Sequence, residues 1–247
     1  MNTKRLLLFA SLALAALVAT PASAALQFSA DINGSVFSCV DNAACDTNPA
    51  VGQIGIADQT INGVEIAGSS QFQIIGASNA INSSSFQIIN HNLTAATIQI
   101  AISGINFLGP VTNFAASGSG TWQNAIGSAI ALSYFGSAAN QQGANNPTDL
   151  PGLLLAMFGH TAVNPADAFS FNQSGAFLAG GLFGMSLGTS GTLVGWDGVA
   201  GEEPTLVGRS QTLLAQEVVQ QTPEPASLAL LGIGLAAFGF AGVRRKS

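Results

Sequence analysis

The chain has 247 residues, of which 48% are apolar and only 7% charged, with twelve acids against six bases. Five of the six bases sit near the two ends, so Arg209 is the single basic residue of the stretch 25–222, where eleven acids set a formal charge of −10. A stretch so poor in Lys and Arg cannot make the phosphate contacts that dominate nucleic-acid affinity, which excludes DNA and RNA partners, and without lysine it can run no lysine chemistry.

Lys4 and Arg5 precede the apolar stretch Leu6–Val18, and Ala22-Ser23-Ala24 places small residues at −3 and −1. These are the three regions of a secretory signal in order, so residues 1–24 read as a signal peptide cleaved after Ala24. Thirteen apolar residues are too few to span a bilayer. Residues 25–215 then read as the exported domain, and export is why its two cysteines matter. Cys39 and Cys45 are the only ones in the chain, and in an oxidising compartment they are expected to pair and close the loop Val40–Ala44. Asp41, Asn42, Asp46, Thr47 and Asn48 surround that loop with oxygens that could serve Ca²⁺. Their order does not follow the spacing of a calcium loop, and turn chemistry is the simpler account of them.

Strand signals run through the domain. Asn33-Gly34 lies between Phe28–Ile32 and Ser35–Ser38, and Asn62-Gly63 lies between Gln59–Ile61 and Val64–Ile66; both predict two-residue hairpins. Phe72-Gln73-Ile74-Ile75 returns as Phe86-Gln87-Ile88-Ile89, which two paired strands explain better than a solenoid does, since two copies bury no continuous face. Period-two alternation marks Ile98, Ile100 and Ile102, then Ile130, Leu132 and Tyr134, then Phe183, Met185 and Leu187. Many short strands with turn chemistry between them predict an all-β fold, a β-sandwich. Pro151–Phe158 fits either a short helix or a buried strand. Asn140–Asp149 is the strongest loop signal, a long loop of one domain or a boundary between two lobes, with one domain preferred. Trp196–Pro204 is a second loop, and residues 211–222 read as a last strand running into a linker.

Chemistry is sparse along this stretch. His91 and His160 are the only histidines, a poor start for zinc, and the sequence gives no reason to expect any metal or cofactor. No G-x-S-x-G elbow occurs. The acids leave a two-carboxylate glycosidase open in principle, but no motif points to a pair, so the chain is expected not to be an enzyme. Trp122 and Trp196 could stack on sugar rings; core packing is the commoner fate of each, and Trp196, flanked by Gly195, Asp197 and Gly198, is the one expected nearer the surface.

Residues 216–226 form a linker ending in Pro223-Glu224-Pro225. An uncharged run of Ser227–Val243 follows, then Arg244-Arg245-Lys246. As a helix the run is about 25 Å long, a marginal span that basic side chains can extend by snorkelling, so residues 227–247 read as a transmembrane tail with a basic stop. Proline motif, apolar span and basic stop in this order, in a chain with a signal peptide, resemble the PEP-CTERM sorting signal. The resemblance covers residues 222–247 and implies anchoring in the inner membrane, processing near Pro223–Pro225 by an exosortase, and delivery to the cell surface or an exopolysaccharide matrix. On this reading the chain is a non-enzymatic surface or biofilm-matrix protein. The alternative is a secreted glycan-binding or glycan-hydrolysing protein that uses its acidic residues.

Overall fold

The computed structural model describes residues 25–75 and 78–217. The signal-peptide positions Ala22 and Ala24, the motif Pro223, Glu224 and Pro225, the apolar span and the stop Arg244, Arg245 and Lys246 lie outside the described residues.

The domain is an all-β sandwich. Its twelve strands are β1 (Leu26–Ile32), β2 (Ser35–Val40), β3 (Gln53–Ile61), β4 (Val64–Ile75), β5 (Ser78–Asn90), β6 (Ala96–Phe107), β7 (Val111–Gln123), β8 (Ala129–Ser137), β9 (Leu153–Thr161), β10 (Ala166–Ala179), β11 (Phe183–Leu193) and β12 (Thr205–Gln216). One six-stranded sheet runs β2-β1-β6-β11-β8-β9, the other β10-β7-β12-β5-β4-β3, and every pair is antiparallel. Both Asn-Gly hairpins form as expected. Ile32 faces Ser35 and Ile61 faces Val64, and all four turn residues take positive φ, which the mirror-image turn requires. The two turns meet at one end of the sandwich, where Asn62 Nδ2 donates to Ile32 O at 2.9 Å.

The alternating residues point inward. Ile98, Ile100, Ile102, Ile130, Leu132, Tyr134, Phe183, Met185 and Leu187 are all buried. Phe28 of one sheet stacks on Phe86 of the other with centroids 5.6 Å apart. The Phe-Gln-Ile-Ile echo falls on the paired strands β4 and β5, but antiparallel register separates the two copies: Phe72 faces Ile81, and Ile88 faces Ile66. Pro151–Phe158 is no buried strand. β9 is an edge, and Leu153, Leu154 and Met157 are exposed along it; an edge strand with solvent on one side need not alternate cleanly, which hid its type. The last strand also begins earlier than expected, at Thr205.

Residues 140–149 are a loop of the one sandwich, laid on the outer face of the first sheet. Gly143 N donates to Ser103 Oγ at 3.0 Å and Gln27 Nε2 to Asn145 Oδ1 at 2.7 Å. A Cβ at Gly188 would come within 2.7 Å of Leu150 Cδ1, so the glycine lets the loop lie close. This cover is why β6 and β11 are buried on both faces through Ala101, Ser103, Ser186 and Gly188.

The core carries one cation. On β12 the register shifts between Leu206 and Arg209, where Gly208 takes a φ of +59°. The extra residue reverses which side chains face inward, so Leu206 before it and Arg209, Gln211, Leu213 and Ala215 after it are all buried. Arg209 donates to Ser83 Oγ at 3.1 Å and to Gln211 Oε1, and its guanidinium lies 5.0 Å from the centroid of Phe86. Gln211 Nε2 donates across the core to Gly188 O at 3.0 Å, and Thr189 Oγ1 donates to Gln211 Oε1 at 2.7 Å. Among the described residues no carboxylate pairs with Arg209. Burial pushes the guanidinium down to about 10. Burial also pushes the Tyr134 phenol up to about 12, against the opposing effects of the Gln211 hydrogen bond and the Arg209 charge.

A base held more weakly in the folded state destabilises the fold while it is charged. For Arg209 that penalty is complete below a pH of about 10 and is relieved as pH rises toward the unfolded value of 12.5. Tyr134 has the opposite sign: its raised pKa is a penalty on ionisation that costs stability between its ordinary value of 10.0 and about 12. Arg209→Met is therefore expected to raise stability at neutral pH by roughly 1–3 kcal/mol, read as a higher urea midpoint at unchanged slope. Gln211→Leu, which takes from the guanidinium one of its two acceptors and leaves Ser83, is expected to cost about 3–5 kcal/mol.

Candidate functional site

Cys39 and Cys45 are joined by a disulfide. The acids beside it are spent on the loop. Asp46 accepts from the amides of Asn42, Asn48 and Gly55 at 3.0, 2.8 and 2.9 Å, and Asp41 accepts from Gly52 N at 2.7 Å. Burial, with Asp46 nearby, raises the Asp41 carboxyl above its usual range against the pull of the Gly52 amide. This is turn chemistry.

The two histidines lie far apart in the fold, each beside one acid. His91 Nε2 is 3.2 Å from Glu65 in the turn region at one end. His160 Nε2 is 3.4 Å from Asp167, linking β9 to the start of β10. The Val163 amide, then the neighbouring His160, holds the Asp167 carboxyl below its usual range. Trp122 is fully buried. Trp196 is half-buried, and its Nε1 donates to Val199 O at 2.8 Å within its own loop. Beside that loop is an open cleft of about 280 Å³ lined by Asn124, Ile126, Pro165, Gly195, Asp197, Glu202 and Pro204. Asp197 and Glu202, both exposed, line this one cleft together.

A larger feature lies on the outer face of the second sheet, over which no loop among the described residues is laid as residues 140–149 are over the first. Register aligns one residue from each of its six strands: Asn172 faces Ser117, Ser117 faces Thr212, Thr212 faces Asn82, Asn82 faces Gln71, and Gln71 faces Gln53. All six are amides or hydroxyls, none carries a charge, and none is fully buried. Their strand neighbours Leu213, Ile81 and Ile54 point into the core, so the row faces out. Asn82 Oδ1 is shielded from water and has no hydrogen-bond partner. At the β10–β7–β12 end the row opens into a shallow groove of about 350 Å³, where Ala115 and Leu214 lie beside Ser117, Thr212 and Asn172. Amides and hydroxyls with a small apolar floor can trade hydrogen bonds with hydroxyls of a ligand and cover its apolar side. The sequence signal for this row is alternation of Ser, Thr, Asn and Gln with apolar residues, but which of them line up depends on register.

Comparison with known proteins bears on the tail. Residues 221–246 match the PEP-CTERM protein-sorting motif. The match takes in Pro223, Glu224 and Pro225 as well as Arg244, Arg245 and Lys246. The PEP-CTERM tail marks an exported protein sorted to the cell envelope. No curated protein is significantly similar to the chain. Similar solved structures include TmCBM61 in complex with beta-1,4-galactotriose, at 10% identity over 63% of this chain and 90% of that one, with a TM-score of 0.32. The C-terminal CBM6 of LamC from Zobellia galactanivorans matches at 10% identity over 65% and 98%, with a TM-score of 0.25. The K3 cleaved adhesin domain of Lys-gingipain from Porphyromonas gingivalis matches at 9% over 54% and 73%, with a TM-score of 0.28. Likenesses this distant assign no site to this chain.

The disulfide closes a short ring on β2, the edge of the first sheet. Intact mass of the oxidised protein is expected to fall two hydrogens short of the dithiol form. Replacing both cysteines by serine is expected to cost roughly 2 kcal/mol of unfolding free energy by denaturant titration.

Proposed function

We propose that this is a non-catalytic protein of the cell surface or extracellular matrix, which acts by contact with uncharged, hydrated polysaccharide through the outer face of the β10-β7-β12-β5-β4-β3 sheet. The observation that carries this reading is the charge-free row Asn172, Ser117, Thr212, Asn82, Gln71 and Gln53 with its groove. A domain with a formal charge of −10 repels acidic polymers, whereas a neutral polymer meets on this face only donors, acceptors and a little apolar surface. The strands supply a flat platform at fixed spacing, so several weak hydrogen bonds can be made at once with little loss of side-chain freedom. The tail supplies the address: an exosortase processes the chain near Pro223–Pro225 after transient anchoring in the inner membrane, and exopolysaccharide is the polymer then within reach.

A second reading comes from the cleft that Asp197 and Glu202 share. Two carboxylates are the minimum for hydrolysing a glycosidic bond, one as acid and one as base or nucleophile. Here both belong to the Trp196–Pro204 loop and are open to solvent, and the Asp197 carboxylate already accepts the Val199 amide at 3.0 Å. Binding without turnover is therefore the preferred reading.

Affinity electrophoresis of the exported domain in gels cast with neutral polysaccharides is expected to show retardation. Asn172→Ala combined with Thr212→Ala should weaken it about tenfold, as loss of two hydrogen bonds requires. Retardation by no neutral polymer would overturn the reading. Retention that survives this pair but disappears with Trp196→Ala would move the contact to the end loop. Sustained glycan hydrolysis abolished by Asp197→Asn or Glu202→Gln would replace binding with catalysis.

The sorting step has its own test. Changing Pro223, Glu224 and Pro225 together to alanine is expected to leave unprocessed protein in the inner-membrane fraction. Normal processing and release of that variant would remove the exosortase from this account.

A further inference from the structure

The four sheet edges are not protected alike. An edge strand presents unpaired backbone donors and acceptors, and proteins that avoid association shorten it, break it with a bulge, or arm it with proline or charge, often a lysine pointing inward. β2 has six residues and carries the disulfide. β3 is broken by a register shift between Ile56 and Gln59, with Asp58 exposed in the break. β9 has nine residues and a shift where Tyr134 and Phe135 face it. β10 is the least guarded, with its register shift confined to its far end, between Ala176 and Ala179. It is fourteen residues long and keeps unbroken register with β7 from Ala166 to Ala176. It contains no proline, lysine or arginine. Its one charged residue, Asp167, is near one end and faces His160. The exposed position whose register puts it on the inward side, where a guarding lysine would stand, is Gln173.

From this geometry we infer that β10 is a self-association edge, and that a second copy of this chain pairs with it antiparallel, β10 to β10, to make one twelve-stranded sheet across a two-fold axis. A strand paired antiparallel with its own copy is self-complementary, so the contact closes at a dimer. Charge selects the place. Two domains of formal charge −10 repel each other, but the middle of β10, from Ala168 to Ala179, contributes no charge to that repulsion. The same approach covers exposed apolar side chains on that flank: Leu178 on β10 itself, and Leu153 beside it on the neighbouring edge β9. The two edges are already joined by the stack of Phe158 on Phe171, with centroids 5.0 Å apart. That stack holds β10 straight against the sandwich.

Sedimentation velocity of the exported domain over a wide concentration range tests this, with amide hydrogen exchange on the same samples. The expected result is a monomer–dimer equilibrium with added protection at β10 amides in the dimer. Ala168→Lys with Gln173→Lys is expected to weaken the dimer about tenfold or more, although two added lysines reduce the overall repulsion between copies. That opposite sign separates loss of edge pairing from a general charge effect, and an unchanged thermal midpoint shows that the variant is folded. A protein that stays monomeric throughout would overturn the inference. So would a dimer whose protection lies away from β10, or one that tolerates both lysines; the exchange map of the unaltered protein decides even if the variant does not fold.

Discussion

The two sheets are tied through a buried cation that has no anion among the described residues. Arg209 reaches the core because one glycine, Gly208, inserts an extra residue into β12 and reverses its facing. Placing a guanidinium there costs desolvation, and the surroundings offset it with dipoles and a ring in place of a carboxylate. Gln211 and Ser83 accept its hydrogens, and the Phe86 face lies beneath it. Gln211 in turn bonds the backbone and Thr189 of the opposite sheet. The polar layer thereby ties the two sheets at one register. Apolar packing alone would hold the sheets together, but it would tolerate sliding far better than directional bonds do.

The second constraint is the unequal cover of the two outer faces. The loop of residues 140–149 seals much of the first sheet, using Ser103 and Gln27 as attachment points and the absence of a side chain at Gly188 for clearance. Among the described residues nothing comparable lies over the second sheet, where register gathers amides and hydroxyls into a row. One face is thus committed to stability while the other is open for contact. The ends differ as well. The chain enters β1 beside Gly104 and leaves β12 beside Ser78, and Asn79 bonds Leu108 at that same end. The Asn-Gly turns and the Trp196 loop occupy the other end, away from Ala25 and Glu217.

Much of this was legible in the residues. Period-two alternation identified β6, β8 and β11, because each buries one face against the facing sheet. Asn33-Gly34 and Asn62-Gly63 identified two hairpins, because few other pairs accept positive φ twice in succession. The cysteine pair followed from export and from the lack of any competing thiol. β9 was not legible: an edge strand exposed along one side carries no strict pattern, so Pro151–Phe158 read equally well as a buried strand or a helix. Nor was the polar row. Asn172 and Gln53 are 119 positions apart in the chain, and only strand order and register bring them onto one line.

What the sequence determined by itself is local chemistry and destination: which segments are strands, where the chain turns, that two thiols meet in an oxidising space, and that the tail carries a sorting motif. Each is written within a few neighbouring residues, through backbone preference, side-chain periodicity or a short motif. The tertiary structure alone decided which sheet face stays open, which edge is unguarded, and that Arg209 is a core residue. The last is the clearest case. A single positive φ at Gly208 turns the side chains after it to the other face, and no count of charge or hydropathy along the chain contains that reversal.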